Sequence, residues 1–129
     1  LLDAKSHTVR FHSAGQGPIM HYHAADCRSD WHAPSTFPLG YLAQKESGPG
    51  ASVSLEPGDI LGLISDGIFE YENEVGLQFG QKGVRSVIDA MPGGKAQELV
   101  PAIMHAARMH GGSAPQADDI TIVLVRRDF

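Results

Sequence analysis

Apolar and polar residues change their spacing along this 129-residue chain, and each change marks an element. From Thr8 to Ala14 they alternate, with Val9 and Phe11 on one face. Gly15-Gln16-Gly17-Pro18 interrupts, and alternation returns from Ile19 to His23 with Met20 and Tyr22. Period-two runs on either side of a turn predict a hairpin with one wet face. Residues from about 24 to 50 carry Pro34, Pro38, Gly48, Pro49 and Gly50, which predicts a long irregular connection with one short strand. Val53 and Leu55 then alternate with serines, and Glu56-Pro57-Gly58-Asp59 makes a tight turn. Ile60-Leu61-Gly62-Leu63-Ile64 has no polar residue, as expected of a central strand covered on both faces.

Beyond that strand the period lengthens. Val84, Val87 and Ile88 share one side of a helix predicted over Gly80 to Ala90, which Met91-Pro92-Gly93-Gly94 ends. A second helix is predicted from Lys95 to His110, with Leu99, Ile103, Met104 and Ala107 at helical spacing. Pro101 removes one of its backbone bonds, and Gly111-Gly112 supplies the stop. Met91, Met104 and Met109 are expected to fill the core. A final strand is predicted over Ile120 to Val125. There is no internal repeat and no sign of a second domain. Strands first and helices grouped late predict an α+β fold rather than alternating βαβ units.

Composition narrows the class. A chain of this length is one domain or most of one, and can bury a real core. Hydrophobic content of 42% and charged content of 19% fit a globular domain. The net charge of −5, with no Lys/Arg cluster, argues against a nucleic-acid partner. Arg126-Arg127 is the only basic pair and reads as a solvated strand end. No apolar run approaches the ~20 residues that span a bilayer, so no direct membrane contact is expected. The single Cys27 excludes an internal disulfide framework and fits a reducing, cytoplasmic compartment.

The chemistry is suggested by acids flanking two strands. Asp66 follows the strand ending at Ile64, and Asp118-Asp119 precede the strand beginning at Ile120. If these strands pair antiparallel, the acids fall on one rim of the sheet. Carboxylates crowded there repel unless a cation neutralises them, and Mg²⁺ or Mn²⁺ suits such oxygen ligands. Aspartates beside strands are also ordinary turn residues, so spacing alone leaves both readings open.

Five short segments in order carry a resemblance. They are Ser13-Ala14-Gly15-Gln16-Gly17-Pro18, Phe37-Pro38-Leu39-Gly40, Gly58-Asp59-Ile60-Leu61 through Ser65-Asp66-Gly67-Ile68-Phe69-Glu70, Phe79-Gly80, and Asp118-Asp119-Ile120-Thr121. Together they resemble the metal-dependent protein phosphatases of the protein phosphatase 2C type, in the bacterial branch of stage II sporulation protein E and the sigma-factor regulators. Ser13 and Gln16 depart from that branch's "NAGH" turn.

The resemblance implies a layered α-β-β-α sandwich of which residues 1–129 form the C-terminal portion. The upstream part, with the family's first metal motif resembling "GDVSGHG", is absent from these residues. It implies hydrolysis of phosphoserine or phosphothreonine by a water activated by two Mn²⁺ or Mg²⁺ ions. Asp66 matches the aspartate of the family's "SDG" and Asp118 the first of its "DDIT", which makes both metal ligands and catalytic residues. Asp119 is a weaker ligand that braces the loop or binds through water. Gly67 allows the turn that aims Asp66, Thr121 is a strand residue, and Glu70 is an exposed helix-start carboxylate. The implied partner is a phosphorylated bacterial regulatory protein of the anti-sigma-factor-antagonist type, and an upstream sensory domain is expected. The alternative is a non-catalytic phosphatase-like adaptor or response-regulator output domain.

Other constellations carry less. Cys27 lacks the arginine that a cysteine phosphatase places six residues on. His21 and His23 share a strand face and can bind zinc, but with no third ligand nearby in sequence they read as a solvated hairpin face. His105 and His110 read as helix surface.

Overall fold

A computed structural model describes residues 1–41, 43 and 50–129. The elements are β1 (Leu2–Asp3), β2 (Thr8–Phe11), β3 (Ile19–His23), β4 (Arg28–His32), β5 (Ala51–Ser54), β6 (Ile60–Ile64), α1 (Asp66–Phe69), α2 (Gly80–Asp89), α3 (Ala96–Gly111) and β7 (Ile122–Arg126). They fall into two compact units: Leu1–Gly62 with Arg126–Phe129, and Leu63–Val125. Gly48 and Pro49, read from sequence as part of the long connection, lie outside the described residues.

In the first unit β1, β2 and β5 form an antiparallel sheet, with Val9 opposite both Leu2 and Val53. β3 pairs instead with β4, placing His21 opposite Asp30 and His23 opposite Arg28, and its other side lies against β6. The predicted β2–β3 hairpin is therefore absent among the described residues. The Gly15–Pro18 stretch is not a hairpin turn. The buried Ser13 uses its hydroxyl on the Gln16 carbonyl, and its own carbonyl accepts the amides of Ser35 and Thr36. Those bonds carry the chain out of one sheet and into another. β3 has no wet face either, because Ile19, Met20, His21 and Tyr22 are all buried.

β5 and the following residue bury Val53 and Leu55. The predicted turn follows: the Asp59 amide donates to the Glu56 carbonyl at 2.9 Å, with Gly58 at φ +91°. Pro then Gly at the two central positions is the type II pattern, which needs a residue free to take positive φ. Arg127 is not a free strand end, since its Nη1 donates to the Leu55 carbonyl at 2.7 Å.

In the second unit the end of β6 lies beside β7. α1 is a single turn too short to announce itself by periodicity, so the unit holds three helices where two were expected. α2 buries Val84 and Ile88. α3 buries Leu99, Ile103, Ala107 and Gly111, one residue every four, and packs on α2. It runs on through Pro101. At its start the Lys95 amide donates to Glu98 Oε2 at 2.9 Å, which satisfies one of the helix's orphan donors. The methionine expectation fails in part. Met109 is 69% exposed, because it lies off the stripe, whereas Met20 is fully buried. Met91 and Met104 are half-buried.

Candidate active site

Ser65 fixes the rim of the second unit. Its amide donates to the Thr121 carbonyl at 2.9 Å, its hydroxyl accepts from the Thr121 amide at 2.9 Å, and the same hydroxyl donates to the Asp119 carbonyl at 3.1 Å. In the first unit the Arg127 amide donates to the Asp59 carbonyl at 3.0 Å, and the Arg127 carbonyl accepts the Gly58 amide at 2.7 Å. As the position on β6 rises, its partner on β7 falls, so the two strands run antiparallel. Asp66 leaves β6 at the end where Asp118 and Asp119 lead into β7.

The approach is close. A Cβ on Gly67 would lie 2.3 Å from the Asp119 carbonyl oxygen and 3.2 Å from that of Asp118. Glycine is needed here because backbone packs on backbone, a different reason from the turn expected from sequence. The strand β7 starts at Ile122, two residues later than predicted, since Ile120 and Thr121 belong to this junction.

All three acids are exposed. Asp66 Oδ1 accepts the Gly67 amide at 3.1 Å, and Asp118 Oδ1 accepts the Asp119 amide at 2.7 Å. Each carboxylate thus spends one oxygen on the amide of the next residue. Glu70 sits at the C-terminal end of α1, not at a helix start. Beside Asp118 lies an open cavity of about 370 Å³, whose walls include Gly67, Glu70, Tyr71, Glu72 and Gln78 and carry no Lys or Arg. The charged residues lining it, Glu70, Glu72 and Asp118, are all acidic, so a phosphoryl group there needs a counter-cation, and oxygen donors fit a hard divalent one.

A second group of titratable residues lies in the first unit, and it corrects the reading of His21 and His23. His21 is 5% exposed and its Nε2 sits 3.2 Å from Asp59 Oδ2. His23 Nδ1 lies 3.8 Å from the same oxygen, and its Nε2 bonds Asp30 Oδ2 at 3.0 Å. The third donor missing from the local sequence is Asp59, read there as a turn residue and as part of the Gly58-Asp59-Ile60-Leu61 segment. Its carboxylate also accepts the amides of Ala24 and Glu56, each at 3.0 Å. Burial pushes the His21 imidazole below its ordinary value, with the Asp59 hydrogen bond opposing. For Asp59 burial acts upward, but the two amides and His21 together outweigh it and hold the carboxyl below the usual range. Nothing in the spacing of these residues showed that β3 and the turn before β6 would meet.

The fold agrees with known structures. At 22% identity the chain superposes on the SiaA-PP2C domain of Pseudomonas aeruginosa with a TM-score of 0.79, over 98% of this chain and 49% of that one. For a structure of the PP2C phosphatase domain and a fragment of the regulatory domain of SpoIIE from Bacillus subtilis, the values are 23%, 0.73, 97% and 36%. For the RsbU and RsbW domains of a Mycobacterium tuberculosis protein they are 23%, 0.67, 98% and 35%. The chain thus spans half or less of the length of these structures, and such identities carry the fold alone. Curated protein sequences give no match. The family model for stage II sporulation protein E matches residues 1–128. With nearly every residue inside that match and the PP2C-type α+β fold in place, the chain belongs to the stage II sporulation protein E family.

Proposed function

We propose that this chain is the C-terminal portion of a metal-dependent protein serine/threonine phosphatase domain, completed by a first metal motif upstream. The observation that carries the reading is the junction at Gly67, where the residue after Asp66 packs on the carbonyls of Asp118 and Asp119, beside a cavity lined by Glu70, Glu72 and Asp118. Asp66 and Asp118 are the ligands, each exposed and holding one oxygen on the next residue's amide, and Asp119 braces the junction through its carbonyl bond to Ser65. Bound Mn²⁺ or Mg²⁺ would supply positive charge for the phosphoryl oxygens and lower the pKa of an attacking water. Ser65 and Gly67 tie the two acidic segments together at the end of β6.

The substrate proposed is phosphoserine or phosphothreonine on a bacterial regulatory protein of the anti-sigma-factor-antagonist type, in the cytoplasm. Its support is the family match and the resemblance to sigma-factor regulators. None of the described helices is long and apolar enough to cross a membrane. The adaptor reading has one observation in its favour: both Asp66 and Asp118 already cap a neighbouring amide, as turn residues do.

The test uses the intact protein with a phosphoserine-bearing protein substrate. Phosphate release should require Mn²⁺ or Mg²⁺ and stop with chelator. Asp66→Asn should lower turnover by orders of magnitude, since it removes a charged ligand. Turnover unchanged by that substitution overturns the assignment.

A further inference from the structure

The His21, His23 and Asp59 cluster is not accounted for by the phosphatase reading. Its donors are two imidazoles and one carboxylate, and the three ligand atoms lie within 4.8 Å of one another. This is a softer set than the all-oxygen rim, and it matches the three protein ligands plus one open position typical of zinc.

Distances support closure around an ion. A tetrahedral Zn²⁺ with bonds of about 2.0–2.1 Å holds its ligand atoms roughly 3.3 Å apart. Asp59 Oδ2 lies 3.2 Å from His21 Nε2 and 3.8 Å from His23 Nδ1. These two spacings lie within a few tenths of an ångström of that value, and all three ligand atoms lie within 4.8 Å of one another. The longer distance is informative by itself. His23 Nδ1 faces the carboxylate yet stands beyond hydrogen-bond reach, which is the spacing a shared cation fills.

The supporting shell is present as well. His23 Nε2 is held by Asp30 Oδ2 at 3.0 Å, and the Arg28 guanidinium bonds the other Asp30 oxygen. A carboxylate on the far nitrogen of a ligating histidine fixes its ring and leaves the near nitrogen's lone pair for metal. Asp59 is pinned by the Ala24 and Glu56 amides and cannot swing away. The His21 and His23 rings lie side by side, with centroids 4.0 Å apart and planes tilted by 41°. Coordination requires His21 in the tautomer carrying its proton on Nδ1, so that Nε2 offers its lone pair to the ion in place of the hydrogen bond to Asp59.

We propose that His21 Nε2, His23 Nδ1 and Asp59 Oδ2 form a site for a borderline-soft divalent metal, Zn²⁺ by donor set, separate from the acidic rim. The fourth position is open to water.

The experiment is a Zn²⁺ titration of the chelator-stripped protein, read by calorimetry and by thermal midpoint, with Co²⁺ absorption as a report on coordination. One equivalent should bind, the midpoint should rise with Zn²⁺, and Co²⁺ should give the visible bands of a four-coordinate nitrogen–oxygen site. His23 is half-buried at the end of its strand, so His23→Ala and His23→Gln should keep the fold by circular dichroism and lose at least 100-fold in affinity. Asp30→Asn should lose about 10-fold, the lower end of the range for such supporting carboxylates. Asp66→Asn with Asp118→Asn should leave Zn²⁺ affinity unchanged. Absence of stoichiometric binding overturns the proposal. So does binding that survives both His23 substitutions, which would assign the metal to exposed side chains such as Cys27. A loss of zinc with Asp66→Asn and Asp118→Asn, and none with His23→Ala, would assign it to the rim instead.

Discussion

The acidic rim and the histidine cluster hold carboxylates in opposite ways. Asp66 and Asp118 are exposed, and each leans only on the next residue's amide. Asp59 is 2% exposed and is gripped by amides at Ala24 and Glu56 and by His21. An exposed carboxylate keeps its charge cheaply and exchanges partners freely, which suits an ion that must admit substrate. A buried one keeps its charge only because several donors surround it, and those donors make it structural even before a metal arrives. The rim is built for access and the cluster for permanence.

That contrast breaks first at Asp59. Asp59→Ala should orphan two backbone N–H groups and His21, and with about 1–3 kcal/mol for each stranded donor the loss should reach about 3 kcal/mol or more. Denaturant unfolding measures it, and a change below 1 kcal/mol would mean that water replaces the carboxylate and the cluster is not permanent. Next is Gly67→Ala, whose methyl must displace the Asp119 carbonyl. Overpacking of this kind costs about 1–3 kcal/mol, and amide exchange at Thr121 should accelerate as the junction opens. A neutral result there would show the rim to be loosely joined.

The third effect is expected to be near zero. Asp66→Asn with Asp118→Asn, measured in chelator, keeps both amide-accepting oxygens while removing the clustered charge. Stability should stay within about 0.5 kcal/mol or rise, as for exposed sites generally. A clear fall would favour the acids as structural and the protein as an adaptor. The smallest effect is at Glu74, fully exposed in the same unit. The Ser113 hydroxyl and then its amide hold this carboxyl below its ordinary value of 4.5. A depressed acid contributes stability above its unfolded value and loses it as pH falls through the folded one. A pH series should therefore show a slight decline below 4.5 that Glu74→Gln lacks. A series unaltered by the substitution would show that the Ser113 contacts to this exposed acid contribute nothing measurable.

The rim was legible in the chain because its acids directly flank two apolar strands, so their placement needed only one antiparallel pairing. The cluster was not, because Asp59 meets Ala24 and His21 across 35 and 38 residues. Alternation marks β2 and β3 as strands but does not say which strand each one pairs with, hence the mistaken hairpin. The same alternation made His21 look wet, since a histidine buried against a carboxylate and one facing water occupy identical positions in the pattern. The long helices α2 and α3 were readable from their stripes, whereas α1 offers four residues and no period.

Asp59 also has a consequence for the order of events in folding. Its oxygens are satisfied only when a local turn at Glu56 and a distant turn at Ala24 are both in place. Such a bond closes after the segments it joins, so it should be weak or missing in the transition state. Its removal should then speed unfolding far more than it slows folding. The carboxylate would act as a latch that sets how long the first unit stays closed, and the slopes of a chevron plot for Asp59→Asn would reveal it.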